Sequence, residues 1–240
     1  MPKISERIKQ VTENINSVCE KTGRNPSEIK LVVVTKSADI NEIEQVIRLG
    51  LTDLGENRAQ QLKKVAVQVE EFLNQQKDDQ KMPKAVSWHM IGHLQRNKVR
   101  QILPIVSLVH SVDTLRLAEE ISSTASKLNI TAQILMQVNS SMEPQKYGVP
   151  IAAATHLAEQ IETLPNLKLV GLMTMAPLTH NENVIRDCFV RTRELFIEMK
   201  GEKIVGPHFT ELSMGMSSDY QIAIQEGATI LRIGSAIFAR

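Results

Sequence analysis

Eight short apolar segments alternate with amphipathic segments along this chain, and this alternation constrains the fold more than any other feature. The first apolar segment is the β-branched run at residues 31–35, and the second is short and lies within "TDLGENR", which starts at Thr52. The other six lie at residues 86–90, 106–110, 132–138, 168–173, 208–212 and 229–233. Most of the stretches between them, such as residues 58–73, carry an apolar stripe at helical spacing. A strand followed by a helix, repeated in this way, predicts an α/β fold with parallel strands.

The number of repeats favours one closed barrel. Eight strand and helix units are typical of the (β/α)8 or TIM barrel, although an open doubly wound sheet has the same local pattern. The 240 residues show no break in composition, so we expect residues 1–240 to form a single barrel domain. Before the first strand, Ile4, Ile8, Val11, Ile15 and Val18 recur at spacings of four and three, which predicts an extra N-terminal helix.

Composition and charge argue against several classes of function. The formal net charge is only +1, which gives nucleic-acid binding no electrostatic support. No apolar run approaches the roughly 20 residues that a membrane-spanning helix needs. Cys19 and Cys188 lie far apart, and His89, His93 and His110 lack the spacing of metal ligands, so we predict neither a disulfide framework nor a metal site. We therefore expect a cytoplasmic protein that binds no nucleic acid and no membrane. A monomer is also expected, although nothing in the composition bears on the oligomeric state.

Polar residues collect directly after the predicted strands. Examples are Lys36 after the first strand, "GENR" at residues 55–58, "HMIGHLQRNK" at residues 89–98, "ELSMGMSSD" at residues 211–219 and "RIGSAIF" at residues 232–238. In a parallel barrel these strand ends share one face, where the βα loops form active sites. We therefore expect the clusters to converge in space.

Lys36 is the most informative of these residues. A lysine is rarely placed against a core unless its charge is paired or its amine has chemistry to perform. At a strand end, its amine can form a Schiff base with an aldehyde. The alternative is that Lys36 is a surface or ion-paired lysine of a binding module.

The glycine-containing segments "SMGMS" and "RIGS" follow the seventh and eighth predicted strands, where barrels often bind phosphate. Ser213 and Ser217 could instead be simple helix caps, and Asn57 a turn residue. A phosphate site facing a Schiff-base lysine describes the binding of pyridoxal 5'-phosphate (PLP).

The chain closely resembles the pyridoxal-phosphate homeostasis proteins, also called the YggS/PROSC or PLP-binding-protein family. The shared motifs span residues 31–238 and are "VVVTKS", "LGENRAQ", "WHMIGHLQRNKVR", "HSVD", "KYGV", "GLMTM", "LSMGMSSDYQIAI" and "ATILRIGSAIF". The resemblance implies a single PLP-binding barrel similar to the N-terminal domain of alanine racemase, with the cofactor bound covalently to Lys36. It also implies that Ser213, Gly234 and Ser235 hold the phosphate, that Arg232 faces the pyridine nitrogen, and that Asn57 lines the pocket.

The function implied by the resemblance is to hold PLP and hand it over in vitamin B6 and amino-acid homeostasis, without catalytic turnover. Apo enzymes that use PLP are then candidate recipients. An arginine beside the pyridine nitrogen opposes its protonation and weakens the ring as an electron sink, and we expect the second domain of the racemase to be lacking. The alternatives are a small amino-acid racemase or a Schiff-base aldolase on the same barrel.

Overall fold

The computed structural model describes residues 3–143 and 145–238, and within them a closed parallel barrel is the dominant feature. The strands are β1 (Lys30–Val34), β2 (Asp53–Glu56), β3 (Ser87–Met90), β4 (Val106–Val112), β5 (Ala132–Asn139), β6 (Val149–Pro150), β7 (Leu167–Met173), β8 (Glu211–Ser213) and β9 (Ile230–Ile233). The barrel order is β1-β2-β3-β4-β5-β7-β8-β9, and β9 pairs back with β1. The predicted closed barrel is therefore confirmed, and the open doubly wound sheet is excluded.

The helices lie between the strands along the chain. They are α1 (Ile4–Thr22), α2 (Ile40–Arg48), α3 (Ala59–Gln75), α4 (Val99–Ile102), α5 (Leu115–Leu128), α6 (Ile151–Glu162), α7 (Glu182–Gly201), α8 (Tyr220–Gln225) and α9 (Ser235–Phe238), with short 3-10 turns at Pro26–Glu28 and Arg96–Lys98. Within the described parts of the chain, no helix combines the length and the apolar character that crossing a bilayer requires.

The strand boundaries differ from the prediction at two places. The segment predicted as a strand at residues 208–212 enters the barrel only at Glu211, because Phe209 packs against a helix instead. Its ring stacks on Phe196 of α7 with the ring centroids 4.8 Å apart. The two-residue strand β6, which was not predicted, pairs with the end of β5.

Two apolar clusters stabilise the barrel. The larger cluster fills the space between the strands and the surrounding helices. The smaller lies inside the barrel and consists of Val32, Leu108, Leu135, Val170, Met173 and Ile230. The remaining interior positions include buried polar side chains, notably His89, His110, Ser213 and Arg232. The interior is therefore less apolar than the layers of branched aliphatic residues that usually fill such barrels.

The predicted N-terminal helix is present as α1. It buries Ile8, Val11, Ile15 and Val18, the apolar stripe seen in the sequence. It packs on α2, α8 and α9, and Arg7 Nη1 donates to the carbonyl oxygen of Ile237 at 3.0 Å. The helix thus covers the junction between the first and last parts of the barrel.

The closeness of β7 and β8 generates a stability prediction. A Cβ atom on Gly171 would lie 1.8 Å from the carbonyl oxygen of Glu211, which is backbone and cannot move aside cheaply. We expect Gly171→Ala to lower the free energy of unfolding by about 1–3 kcal/mol or more, as overpacking in a closed core does. Denaturant unfolding followed by circular dichroism measures this change.

The matched control is Gly201→Ala at the end of α7. A Cβ atom there meets no heavy atom within 4 Å, so this variant should be neutral or slightly stabilised. Equal stability of the two variants would contradict the proposed crowding between β7 and β8.

Candidate functional site

A cavity of about 720 Å³ opens at the carboxyl ends of the strands. This volume falls within the usual range for small-molecule sites. Its walls come from most of the barrel loops and consist of Val34, Lys36, Ser37, Asn57, Ile91, Gly92, His93, Gln137, Tyr147, Met175, Met216, Ser217, Ser218, Arg232, Gly234, Ser235 and Ala236. The predicted convergence of the polar clusters is thus seen in the structure.

Lys36 lies in the turn after β1, two residues beyond Val34, the last residue of the strand. Side chains alternate along β1, so that Val32 points into the barrel and Val33 points to the outer layer. Lys36 is exposed and lines the cavity. Its amine is therefore available to a ligand and is not enclosed by the core.

Behind Lys36 lies the buried carboxyl group of Glu56. Thr35 Oγ1 donates to Glu56 Oε1 at 2.6 Å, while Oε2 has no hydrogen-bond partner among the described residues. Burial raises the pKa of Glu56, and the hydrogen bond from Thr35 and the positive charge of Lys36 act in the opposite direction. Glu56 is thus a buried acidic group on which burial and the charge of Lys36 act in opposite directions.

Arg232 supplies a buried cation at the cavity wall. It lies on β9, and Nη1 donates to Ser213 Oγ at 2.6 Å while Nη2 donates to the carbonyl oxygen of Thr174 at 2.8 Å. Burial lowers the pKa of Arg232 to about 10, and the nearby carboxylate of Asp219 opposes this shift. Since that value is well above neutrality, the guanidinium stays charged at pH 7 and has a fixed orientation.

The cavity wall beside Arg232 is formed where β9 passes into α9. Gly234 brings the backbone close to β1, because a Cβ atom there would lie 3.0 Å from the carbonyl oxygen of Val34. The backbone N–H of Ala236 donates to Ser217 Oγ at 3.1 Å, which ties this turn to the loop after β8. Together with Ser235, these groups form a small polar wall on the same cavity as Lys36.

Asn57 reaches the cavity from the loop after β2, and Gly92 holds it there. A Cβ atom on Gly92 would lie 2.2 Å from the carbonyl oxygen of Asn57, so the two loops can meet only at a glycine. Ser111 Oγ donates to the carbonyl oxygen of Gly92 at 2.6 Å and fixes the loop from the other side. The position of Asn57 therefore depends on the loop after β3.

Five of the six predicted site residues lie on this one cavity: Lys36, Asn57, Arg232, Gly234 and Ser235. Ser213 does not line the cavity. It is part of β8, points into the barrel and is fully buried, and its hydroxyl group contacts Arg232 and His110. The suggestion that Ser213 caps a helix is wrong, because the residue lies in a strand. Its predicted contact with phosphate stays a prediction.

Several cavity residues were not predicted individually. The ring of His93 stacks on Tyr147 with the centroids 4.8 Å apart, and Gln137 Nε2 donates to the carbonyl oxygen of Tyr147 at 3.3 Å. His93 lies in the polar segment at residues 89–98 that follows the third predicted strand, and Tyr147 lies in the shared motif "KYGV". No spacing rule distinguishes them from their neighbours, so only the folded loops reveal them.

Metal chemistry receives no support from the side chains. In residues 3–143 and 145–238, no three or more His, Cys, Asp and Glu residues are grouped so as to hold a metal ion. The site offers instead the accessible amine of Lys36, the buried guanidinium of Arg232, and hydrogen-bond donors from hydroxyl groups and the backbone. This donor set fits a small molecule that carries both an aldehyde and an anionic group, as PLP does.

Comparison with known proteins agrees with this geometry. The family described as "Alanine racemase, N-terminal domain" matches residues 7–239. A protein of Aquifex aeolicus (strain VF5) named "Pyridoxal phosphate homeostasis protein" is 39% identical over 234 residues, which cover 97% of this chain and 96% of the relative.

Two solved structures are also similar over nearly their whole length. An unknown protein from Bifidobacterium adolescentis is 36% identical with a TM-score of 0.91, and the match covers 98% of this chain and 94% of that one. PipY of Synechococcus elongatus PCC7942, solved with PLP bound, is 28% identical with a TM-score of 0.81, and the match covers 99% and 100% of the two chains. The matched length, the sequence identity and the shared barrel show that this chain belongs to the family of pyridoxal phosphate homeostasis proteins, which is built on the alanine racemase N-terminal domain fold.

Proposed function

We propose that this protein binds PLP covalently and reversibly through Lys36 and serves as a store and donor of the cofactor in vitamin B6 and amino-acid homeostasis. The observation that carries the proposal is that an exposed lysine amine and a buried, charged arginine line the same cavity. The PLP bound in the similar PipY structure supports the choice of ligand. A bound PLP would supply an aldehyde that condenses reversibly with a lysine amine.

The residues of the cavity divide into three roles. Lys36 provides the amine for attachment, and Arg232 provides the cation that faces the pyridine nitrogen. Gly234 and Ser235, with Ser217 beside them, provide donors for the phosphate, and Asn57 contacts the cofactor from the opposite loop. Ser213 was predicted to hold the phosphate. Because it is buried and does not line the cavity, we propose that it acts instead through Arg232, from whose guanidinium its hydroxyl group accepts.

We propose that turnover is absent because of Arg232. A charged arginine opposes a proton on the pyridine nitrogen, so the ring would stabilise negative charge on a substrate poorly. The curated relatives are named for homeostasis and not for a reaction. We further propose that residues 1–240 act as one monomeric PLP-binding unit, that apo enzymes are the recipients, and that the reducing cytoplasm, which suits the free Cys19 and Cys188, is the site of action.

The first test concerns attachment at Lys36. Addition of PLP to the wild type should give a visible absorption band of the bound cofactor, and borohydride reduction followed by mass spectrometry should locate the adduct at Lys36. Lys36→Ala should lose both signals. Lys30→Ala is the matched control, because Lys30 is an exposed residue at the other end of β1. An adduct that persists in Lys36→Ala would overturn the covalent assignment.

The second test separates a carrier from a catalyst. The loaded protein should transfer PLP to an apo enzyme and restore its activity, and exchange of the amino-acid α-proton in deuterated water should stay at the rate of free PLP. Exchange well above that rate would favour the racemase alternative. A sugar-like substrate trapped by borohydride without added PLP would favour the aldolase.

The third test concerns Asn57. We expect Gly92→Ala to displace Asn57 and to weaken PLP binding about tenfold, equivalent to about 1.4 kcal/mol. Gly201→Ala should bind PLP as the wild type does, since it lies at the end of α7 and has open space around it. Unchanged affinity in Gly92→Ala, with the displacement seen by NMR, would remove Asn57 from the set of cofactor contacts.

A further inference from the structure

A continuous series of polar side chains crosses the barrel interior from the cavity to the opposite end. Arg232 Nη1 lies 2.6 Å from Ser213 Oγ, and Ser213 Oγ lies 2.9 Å from His110 Nδ1. His110 Nε2 lies 2.9 Å from His89 Nδ1, and His89 Nε2 lies 3.0 Å from Asp53 Oδ1. These residues come from β9, β8, β4, β3 and β2, so the interior chain, as we call these five side chains, spans the whole barrel.

The interior chain is almost entirely shielded from solvent. Ser213 and His110 are fully buried, and His89 is 1% exposed. Only the side chain of Asp53, at the first residue of β2, is partly open to solvent, at 29% exposure. Burial of so many polar groups is costly unless each finds a partner, and here every adjacent pair is within hydrogen-bond distance.

The two ends of the interior chain fix its direction. A guanidinium can only donate hydrogen bonds and a carboxylate can only accept them. If Arg232 donates to Ser213, the serine hydroxyl is free to donate to His110 Nδ1. His110 then carries its proton on Nε2 and donates to His89 Nδ1, and His89 donates from Nε2 to Asp53. Every donor along this path meets one acceptor.

The reverse order leaves a conflict. If His110 carried its proton on Nδ1, Ser213 Oγ would accept from both His110 and Arg232, and His110 Nε2 would need a donor from His89 Nδ1. The lone pair of His89 Nε2 would then point at the Asp53 carboxylate oxygen 3.0 Å away, which is unfavourable unless His89 held an additional proton. With Asp53 ionised, the reverse order therefore requires a buried imidazolium inside the barrel.

The environment of His110 favours its neutral form. Complete burial is the largest cause of a pKa well below the ordinary value for histidine, and the nearby His89, Arg232 and Lys30 lower it further. A neutral His110 has one donor and one acceptor, as both orders require, and the direction is therefore set by the Asp53 carboxylate, which can only accept from His89.

We propose that His110 and His89 are positioning residues for Arg232, joined with Ser213 into a one-way hydrogen-bond chain that starts at the guanidinium and ends on the carboxylate of Asp53. The interior chain fixes the orientation of the guanidinium at the cavity wall. It also transmits to the guanidinium, through neutral groups, the influence of a carboxylate at the far end of the barrel. The link to cofactor binding rests on the proposed function, whereas the direction of the chain does not.

The direction can be measured on the protein without any cofactor. Long-range proton–nitrogen NMR of the 15N-labelled protein distinguishes the two neutral tautomers of histidine from the imidazolium. The protein has six histidines, and His89→Gln and His110→Gln assign the two signals. We expect both rings to be neutral and protonated at Nε2 at pH 7. An imidazolium at His89, or a proton on Nδ1 of His110, would overturn the proposed direction.

The effect on Arg232 is tested from the far end of the interior chain. Asp53→Leu removes the terminal acceptor, whereas Asp53→Asn keeps an acceptor oxygen. We expect Asp53→Leu to shift the side-chain Nε–H signal of Arg232, assigned with Arg232→Lys, and to weaken PLP binding about threefold to tenfold. Asp53→Asn should stay within about twofold of the wild type, which makes it the conservative rescue.

The control for charge alone is Glu211→Gln. Glu211 begins β8 at the same end of the barrel, and it accepts from Thr229 Oγ1 at 2.7 Å and not from the interior chain. The Glu211→Gln variant should therefore leave the Nε–H signal of Arg232 unchanged. An unshifted Arg232 signal in folded Asp53→Leu would overturn the positioning role. If the wild type fails to bind PLP, the proposed function fails, while the tautomers and the Arg232 signal still decide this inference.

Discussion

Closure of the parallel strands is the constraint on which the rest of this structure depends. The pairing of β1 with β9 joins the first and last parts of the barrel, and the pairing of β4 with β5 completes the ring. Because all strands run in the same direction, their carboxyl ends form one rim. Lys36 from the first strand loop and Arg232 from the last strand share a cavity for this reason, although the chain separates them by most of its length.

Local sequence patterns were sufficient to predict the parallel strands and most of the cavity wall, whereas closure of the ring was only favoured by the number of repeats and implied by the family resemblance. The apolar runs fixed the strands to within a few residues, and the polar residues after them marked the rim. The errors have physical causes. Phe209 is as apolar as a strand residue, yet it packs on Phe196, and the predicted strand therefore begins late. Strand β6 has only two residues, too few to give a periodic pattern.

The interior was harder to predict than the rim. The sequence shows that His89 and His110 lack the spacing of metal ligands, but it does not show which side chains they contact. Those partners depend on which strands become neighbours and on which side chains point into the barrel. Ser213 shows the same difficulty, since its strand position turns it inward to Arg232 and away from the cavity. Local sequence patterns indicate which segments form strands, whereas contacts between distant strands are settled only by the tertiary fold.

The polar interior has a consequence for folding. Its members form two groups on neighbouring strands, one on β2, β3 and β4 and one on β8 and β9. The bond between Ser213 and His110 joins the two groups across the interior, so the chain can be completed only when the ring is almost closed. Partly assembled forms would carry these groups either solvated or unpaired, which disfavours compact intermediates with a closed interior. Assembly of the ring should accordingly be highly cooperative, and a ligand that binds only the completed rim would add its binding free energy to that cooperativity.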